Sequence, residues 1–345
     1  MSHSVRHIPV MLDEVLETLS PKDGETYVDA TFGNGGYSEA ILKSANCKVI
    51  AIDRDPSVIN RVNELKDTYG DRFDFRAGTF GDIKNLVNSS VDGVVFDIGV
   101  SSMQLDDDFR GFSFSKEATL DMRMSMSGTS AKDIVNTLPE QELADLIYLY
   151  GEEKKSRQIA HRIVEYRTNK EIETTTELAE IIYKVMPKKF GQIDPATRTF
   201  QALRIAVNDE LGQLEEGLKG ALNITSNNGR IVVVDFHSLE DRIVKTFFAS
   251  NSAKKVHVSR YKEAEINNEY PLSYVSKAIS PSDEECSKNP RARSAKLRYA
   301  IIRKETNNGT FGSTDLRRNN SDHTDTVGNV RRRSNSNNRL VRYPR

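Results

Sequence analysis

Four strand-like segments fall within the first hundred residues, and the next comparable one begins some 130 residues after the fourth. Residues 26–32, 48–53, 73–77 and 91–97 are short β-branched or aromatic runs separated by helix-like stretches, with Pro56 well placed to open one of those helices. Strands alternating with helices give βαβ units and a parallel sheet. An ordinary crossover needs only about 30 residues in all. Residues 230–236 resume the strand pattern so late that a second body must be inserted between the fourth and fifth strands.

The insertion reads as helical. Thr137-Leu-Pro-Glu140 and Thr174-Thr-Thr-Glu177 both fit a capping box, in which Thr and Glu side chains satisfy free backbone N–H groups. After the second box, Leu178, Ile181, Ile182 and Val185 recur with the period of one buried helix face. Asp194-Pro195 reads as an N-cap with proline at N1, starting a helix through Phe200, Leu203 and Val207. The expected domains are a discontinuous 1–105 and 213–304, a helical 106–212, and a tail 305–345. Ser238 is placed to cap a helix over 239–248, and 296–302 reads as a late strand. The tail shifts to Asn, Ser, Arg, Thr and Gly and cannot bury enough surface to offset its ordering entropy, so it is expected to be disordered.

Charge and cysteine content narrow the function classes. Lys and Arg number 49 against 50 for Asp and Glu, a net charge of −1, so a uniformly basic nucleic-acid coat is excluded while local basic patches are not. Two cysteines, Cys47 and Cys286, cannot build a disulfide framework. No apolar run reaches the roughly 18 residues of a membrane span, and the N-terminus lacks a signal-peptide core. The expectation is a soluble cytoplasmic protein with no membrane contact.

The first strand runs into Asp29-Ala-Thr-Phe-Gly33-Asn-Gly35-Gly36, where glycines let a ligand approach main-chain N–H groups at a parallel strand's carboxyl end. Asp53 closes the second strand 18 residues after Gly35, where a carboxylate can accept hydrogen bonds from ribose hydroxyls. Ser38 stands where a dinucleotide fingerprint wants its third glycine, and no Walker-type loop is present. Asp29 would repel a pyrophosphate but suits the cationic amino acid end of S-adenosyl-L-methionine (SAM), with Phe80 placed to meet the adenine. A core position accounts for Phe80 about as well. SAM fits this pattern better than NAD.

Eight ordered segments carry a resemblance. They are His7-Ile-Pro-Val-Met-Leu-Asp-Glu14, Val28-Asp-Ala-Thr-Phe-Gly-Asn-Gly-Gly36, Ile52-Asp-Arg-Asp-Pro56, Phe96-Asp-Ile-Gly-Val-Ser-Ser102, Arg110-Gly-Phe-Ser-Phe114, Leu120-Asp-Met-Arg-Met124, Asp235-Phe-His-Ser-Leu-Glu-Asp-Arg242 and Asn289-Pro-Arg-Ala-Arg-Ser294. From residue 7 to about 304 the chain resembles the bacterial 16S ribosomal RNA cytosine-N4 methyltransferases. That resemblance implies a class I SAM-dependent methyltransferase: a Rossmann-like, mainly parallel, doubly wound α/β sheet with an inserted all-helical domain. It implies methylation of a cytosine N4 in the decoding region, with ribosomal RNA or the small subunit as partner and oligomeric state open. The implied cofactor residues are Gly33, Gly35, Gly36, Tyr37, Asp53, Phe80, Asp97 and Gln104. Tyr37 departs from the family, which usually has His after the Gly-Gly pair.

Methyl transfer to an amine is an in-line displacement, so catalysis is mainly alignment and electrostatics. Asp97, ending the fourth strand, is the best-placed carboxylate to accept from the target amine, and His237 is a second candidate whose bland reading is structural. Asp97-Ile-Gly-Val is not the Asp/Asn-Pro-Pro-aromatic signature of many amino methylases, so pattern alone would not single out N4. C5 chemistry needs a cysteine nucleophile, and neither cysteine lies at the sheet's catalytic edge. No set of residues has metal-ligand spacing. Candidate RNA contacts are Arg110, Arg198, Arg204, Arg291, Arg293 and Lys296, with Lys188, Lys189, Arg298 and the tail's Arg331, Arg332 and Arg333 as further basic positions. Segments 110–114 and 120–124 are expected to form a lid over an unstacked cytosine. Two other readings stay open: a methyltransferase on another nucleic acid or a protein, and a SAM-sensing assembly factor without catalysis.

Overall fold

Near-continuous apolar strands can be buried only if both faces of their sheet are covered. The computed structural model, which describes residues 9–100, 109–253 and 270–303, covers both. The strands are β1 (Thr26–Asp29), β2 (Lys48–Asp53), β3 (Phe73–Ala77), β4 (Val91–Asp97), β5 (Thr225–Asp235), β6 (Leu272–Val275) and β7 (Lys296–Ile302). Their order is β3-β2-β1-β4-β5-β7-β6. The first five pair in parallel, and β7 joins β5 antiparallel. This is the class I SAM-dependent methyltransferase arrangement. β6 pairs antiparallel with β7 and has no counterpart in the sequence reading.

Side-chain alternation splits the sheet into two cores. Tyr27, Val95 and Val232 face helices α1 (Leu12–Leu19), α2 (Gly36–Ser44) and α3 (Ile59–Tyr69). Val28, Val94 and Val233 face the opposite layer, which begins with the one-turn α4 (Ile83–Leu86).

Between β4 and β5 the chain forms α5 (Ala131–Thr137), α6 (Glu140–Gly151), α7 (Ser156–Arg167), α8 (Thr175–Val185), α9 (Ala196–Asn208) and α10 (Glu210–Ile224). Leu143, Ile147, Ile163, Leu178, Ile182 and Leu203 centre a third core on the first five of these. α10 instead buries Leu214 and Leu218 with the sheet. The change falls at Asp209, whose backbone is left-handed (φ 49°). After β5 come α11 (Ser238–Ser250) and the short α12 (Asp283–Lys288).

The caps refine the expected boundaries. Thr174 and Glu177 form the expected capping box. Thr137 does not form one with Glu140: its hydroxyl donates to Asp133 O (2.6 Å) inside α5, and α6 starts after Pro139 without a side-chain cap. The box belongs one helix earlier, to Ser130 and Asp133. Asp194 does cap, accepting from Ala196 N (2.9 Å), with Pro195 already helical. Gln104 and the tail 305–345 lie outside the described residues.

Candidate functional site

β1, β2, β4 and β5 each end on an aspartate: Asp29, Asp53, Asp97 and Asp235. A cleft of about 390 Å³ opens at the carboxyl edge of these strands, inside the range of small-ligand sites. Asp53 and Asp97 line it; Asp29 and Asp235 do not.

Asp29 turns inward. Its carboxylate accepts from Ser38 N (3.1 Å), Ser38 Oγ (2.7 Å) and Thr31 N (3.3 Å), which ties the glycine loop to the first turn of α2. Burial pushes its pKa up to about 6. The expectation that Asp29 meets a cationic ligand is therefore corrected: it braces the loop.

The glycines divide their work. Gly33 (φ 51°) lines the cleft and donates its N–H to Asp53 Oδ2 (2.7 Å). Gly36 also lines it, and a Cβ there would sit 2.2 Å from Pro9 Cγ. Gly35 is not on the wall: at φ 71° it makes the turn, and a Cβ would meet the Phe32 ring at 2.8 Å. Tyr37 lines the cleft with its hydroxyl donating to Val10 O, so the residue that replaces the family's usual His has its polar atom occupied by backbone.

Asp53 accepts from Gly33 N and, through Oδ1, from Asp55 N (2.9 Å). Burial raises its pKa against those two donors. Each oxygen keeps a lone pair for a further donor. Phe80 opens a 3₁₀ turn, lines the cleft, and sets its edge on Phe96 at 5.9 Å between centroids.

Asp97 is positioned through its backbone, whose N–H donates to Thr31 Oγ1 (2.7 Å). Its Oδ1 is buried without a hydrogen-bond partner. Burial first, then the charges of Asp29 and Glu240, push its pKa up to about 8. A buried, unpartnered, acidic oxygen on the wall of a cleft is suited to a cationic or N–H-donating ligand.

His237 lines the cleft, but its ring is committed elsewhere. It is itself the N-cap of α11, in place of the expected Ser238: Nδ1 accepts from Glu240 N (3.4 Å), and Glu240 Oε2 accepts from His237 N (3.2 Å). Nε2 stands 3.1 Å from Glu240 Oε1, close but not aligned as a hydrogen bond. With both nitrogens turned to Glu240, the ring offers no base to the cleft.

Glu210, His237 and Glu240 bring their ligating atoms within 4.8 Å of one another, a grouping that their spacing in sequence did not reveal. Arg204 already holds both Glu210 oxygens (2.8 Å each). The Nδ1 acceptor role leaves the imidazole proton on Nε2, so that nitrogen has no lone pair for a metal. Although burial alone would raise it, the Glu240 pKa is held below its ordinary value by His237 and Arg204. The set is a hydrogen-bonded and ion-paired node between α9, α10 and α11.

The expected RNA contacts separate. Arg110 is buried, paired with Asp55, and donates to the carbonyls of Arg123 and Met124 (2.8 Å each), so it is a structural bolt and not a surface contact. Arg204 is committed to Glu210, and Lys296 and Arg298 both reach Asp241 (3.1 and 2.6 Å). Arg291 lines the cleft, while Arg198 and Arg293 are exposed. The expected lid is largely core: Phe112, Leu120 and Met122 are buried, Phe114 packs edge-on against Phe200 (4.8 Å), and Met124 lines the cleft. Cys47 is buried, Cys286 half-buried, and neither lines the cleft.

Phe236 and Gln201 also line the cleft and were not singled out from sequence. Both signals were present. Phe236 follows the last residue of β5, and Gln201 lies midway between Arg198 and Arg204 on one helical face.

The sequence signature of the MraW methylase family spans residues 4–303. The ribosomal RNA small subunit methyltransferase H of Rickettsia massiliae (strain Mtu5) is 56% identical over 298 residues, covering 85% of this chain and 97% of that protein. Its counterpart from Rickettsia africae (strain ESF-5) is 55% identical over the same lengths. Among solved structures, an rRNA methylase from Streptococcus thermophilus aligns over 85% of this chain and 94% of its own at 10% identity, with a TM-score of 0.37.

Proposed function

This chain belongs to the MraW methylase family, and on that premise we propose the reaction its cleft performs. The protein is a SAM-dependent methyltransferase acting on small-subunit ribosomal RNA, and the acceptor is the exocyclic N4 of a cytosine in the decoding region. The observation that carries this reading is Asp97: a buried carboxylate oxygen without a partner, on the cleft wall at the carboxyl end of β4.

SAM supplies an electrophilic methyl on a sulfonium, and the residues present suit it. Asp53 would accept from the ribose hydroxyls, the Gly33–Gly36 turn would approach through main chain, and Phe80 would meet the adenine. Gln104 belongs to the same proposed set. The cytosine amine is a weak nucleophile because its lone pair is delocalised into the ring. Asp97 accepts one of its N–H bonds, favours pyramidalisation and offsets the positive charge that grows on nitrogen during attack. A cationic ligand beside Asp97 opposes the effect of burial and keeps the carboxylate ionised at neutral pH. His237 shapes the wall by holding α11 in place.

The helical block 106–212 would recognise the RNA, with Arg198, Arg291 and Arg293 as phosphate contacts. Among the described residues no helix is long and apolar enough to cross a membrane, and we place the enzyme with its substrate in the cytoplasm. The test is transfer of labelled methyl from SAM to unmethylated small-subunit RNA, with mass mapping of the product nucleoside. N4-methylcytosine supports the reading. A label on another atom moves the acceptor, and SAM binding without transfer makes the protein a sensor.

A further inference from the structure

The loop joining α8 to α9 places seven consecutive exposed residues, Pro187 to Ile193, at the surface of the helical block. Two are large and apolar: Phe190 is fully exposed (109%) and Ile193 nearly so (80%). A folding chain gains by burying such side chains, so two of them left in solvent within one four-residue stretch point to a contact surface. The loop is propped from below. Lys188 lies 4.2 Å over the Tyr183 ring and 3.3 Å from Asp194, whose carboxylate also takes the Tyr183 hydroxyl and Ala196 N. Gly191 (φ 74°) makes the tip with open space around it.

Charge selects the partner. From residue 184 to 198 the chain carries Lys184, Lys188, Lys189 and Arg198 against the single acid Asp194, in a protein whose net charge is −1. Position agrees: α9 runs from this loop to the cleft-lining Gln201 and Arg204, and at 1.5 Å per residue Ala196 is about 12 Å from Arg204. An exposed aromatic next to lysines is a common way for proteins to hold unpaired nucleotides: the ring stacks on a base and the cations take phosphates.

We propose that the 187–193 loop is a docking finger for single-stranded RNA, with Phe190 stacking on an unpaired base near the target cytosine and Lys189 on the adjoining phosphate. This rests on the reading of small-subunit RNA as substrate.

The chain has no tryptophan, so Phe190→Trp installs a unique fluorophore on the loop. Added unmethylated small-subunit RNA should quench its emission over the range that saturates methyl transfer. Phe190→Ala should raise KM for RNA about 5- to 150-fold, the loss of one base–aromatic stack, with SAM affinity retained; Phe190→Trp should restore KM. Lys189→Ala should lower the salt slope of RNA binding by about one counterion. Unchanged emission at saturating RNA, or an unchanged KM for Phe190→Ala, overturns the proposal. So does a chain that self-associates through Phe190, seen as dimers by sedimentation that Phe190→Ala abolishes while KM stays put. Should the unaltered protein transfer no methyl to this RNA, the substrate reading fails, and the emission titration still decides whether the loop docks RNA.

Discussion

Arg110 and Asp55 are joined as a buried ion pair two residues beyond the cleft-lining Asp53. Asp55 N donates to Asp53 Oδ1, and the other guanidinium nitrogen of Arg110 holds the carbonyls of Arg123 and Met124. Arg54 adds to the node by donating to Asn208 O (3.0 Å), while Asn208 accepts from Met124 N (2.9 Å). The turn after β2 and the segment entering the helical block are thus one hydrogen-bonded unit.

Breaking that pair from one side leaves a buried carboxylate without its guanidinium. Arg110→Met is expected to cost about 3–5 kcal/mol of stability, read as a lower unfolding midpoint in denaturant. It should also weaken SAM binding through Asp53. If Arg110 were a surface RNA contact, RNA affinity alone would fall and the midpoint would hold.

Asp53→Ala removes the acceptor for Gly33 N and Asp55 N as well as the proposed ribose acceptor. SAM affinity should drop by about 1–3 kcal/mol, measured by calorimetry. Equal affinity in the two proteins would take Asp53 out of the cofactor site.

Asp97→Asn keeps size and an acceptor oxygen but loses the negative charge. Single-turnover transfer at saturating SAM should slow by about 10²–10³, and a rate near that of the unaltered enzyme would exclude the carboxylate from catalysis.

The Asp97 pKa of about 8 also fixes a pH dependence for the ligand-free protein. Between the ordinary aspartate value near 4 and 8, the folded state binds the proton that the unfolded state releases. Stability therefore falls as pH rises through that window. Asp97→Asn should flatten the fall, and SAM should do the same by favouring ionisation. SAM binding near pH 7 should in turn release protons, seen as a dependence of calorimetric heat on buffer ionisation enthalpy. Identical pH profiles for Asp97→Asn and the unaltered chain would place the titrating group elsewhere, with Asp235, also raised to about 8, the first to test.

His237→Asn retains a side chain that can cap α11, whereas His237→Ala does not. The first should be nearly neutral and the second cost about 1 kcal/mol, with neither shifting the pH–rate profile. A profile that loses a limb in His237→Asn would restore a catalytic imidazole.

The α/β layering was legible because parallel strands buried on both faces leave continuous apolar runs, and Asp53 and Asp97 were legible because they end such runs. Asp29 ends one too, yet its side chain points away from the cleft. A strand's end places the backbone, while Ser38, nine residues on, turns the carboxylate. The cap of α11 was read one position late, at Ser238, because a ring nitrogen of His237 does a cap's work in place of the neighbouring serine hydroxyl. Arg110 looked like a basic surface residue because its partner lies 55 positions earlier. The Glu210, His237, Glu240 and Arg204 node is likewise made by three helices meeting, which no local pattern encodes.

β4 and β5 are hydrogen-bonded neighbours separated by about 130 residues of chain. Closing so long a connection costs only about 2 kcal/mol more than closing an ordinary crossover of about 20 residues, since loop entropy grows with the logarithm of length. The thermodynamic burden is small, and the kinetic one is larger. A helical block with its own core makes mostly local contacts, while the β4–β5 ladder is among the most non-local in the chain. The block should therefore collapse first and shorten the effective tether, leaving the joining of β4 to β5 as the slow step of folding. Core substitutions such as Leu178→Ala would then slow refolding of a sheet they never touch.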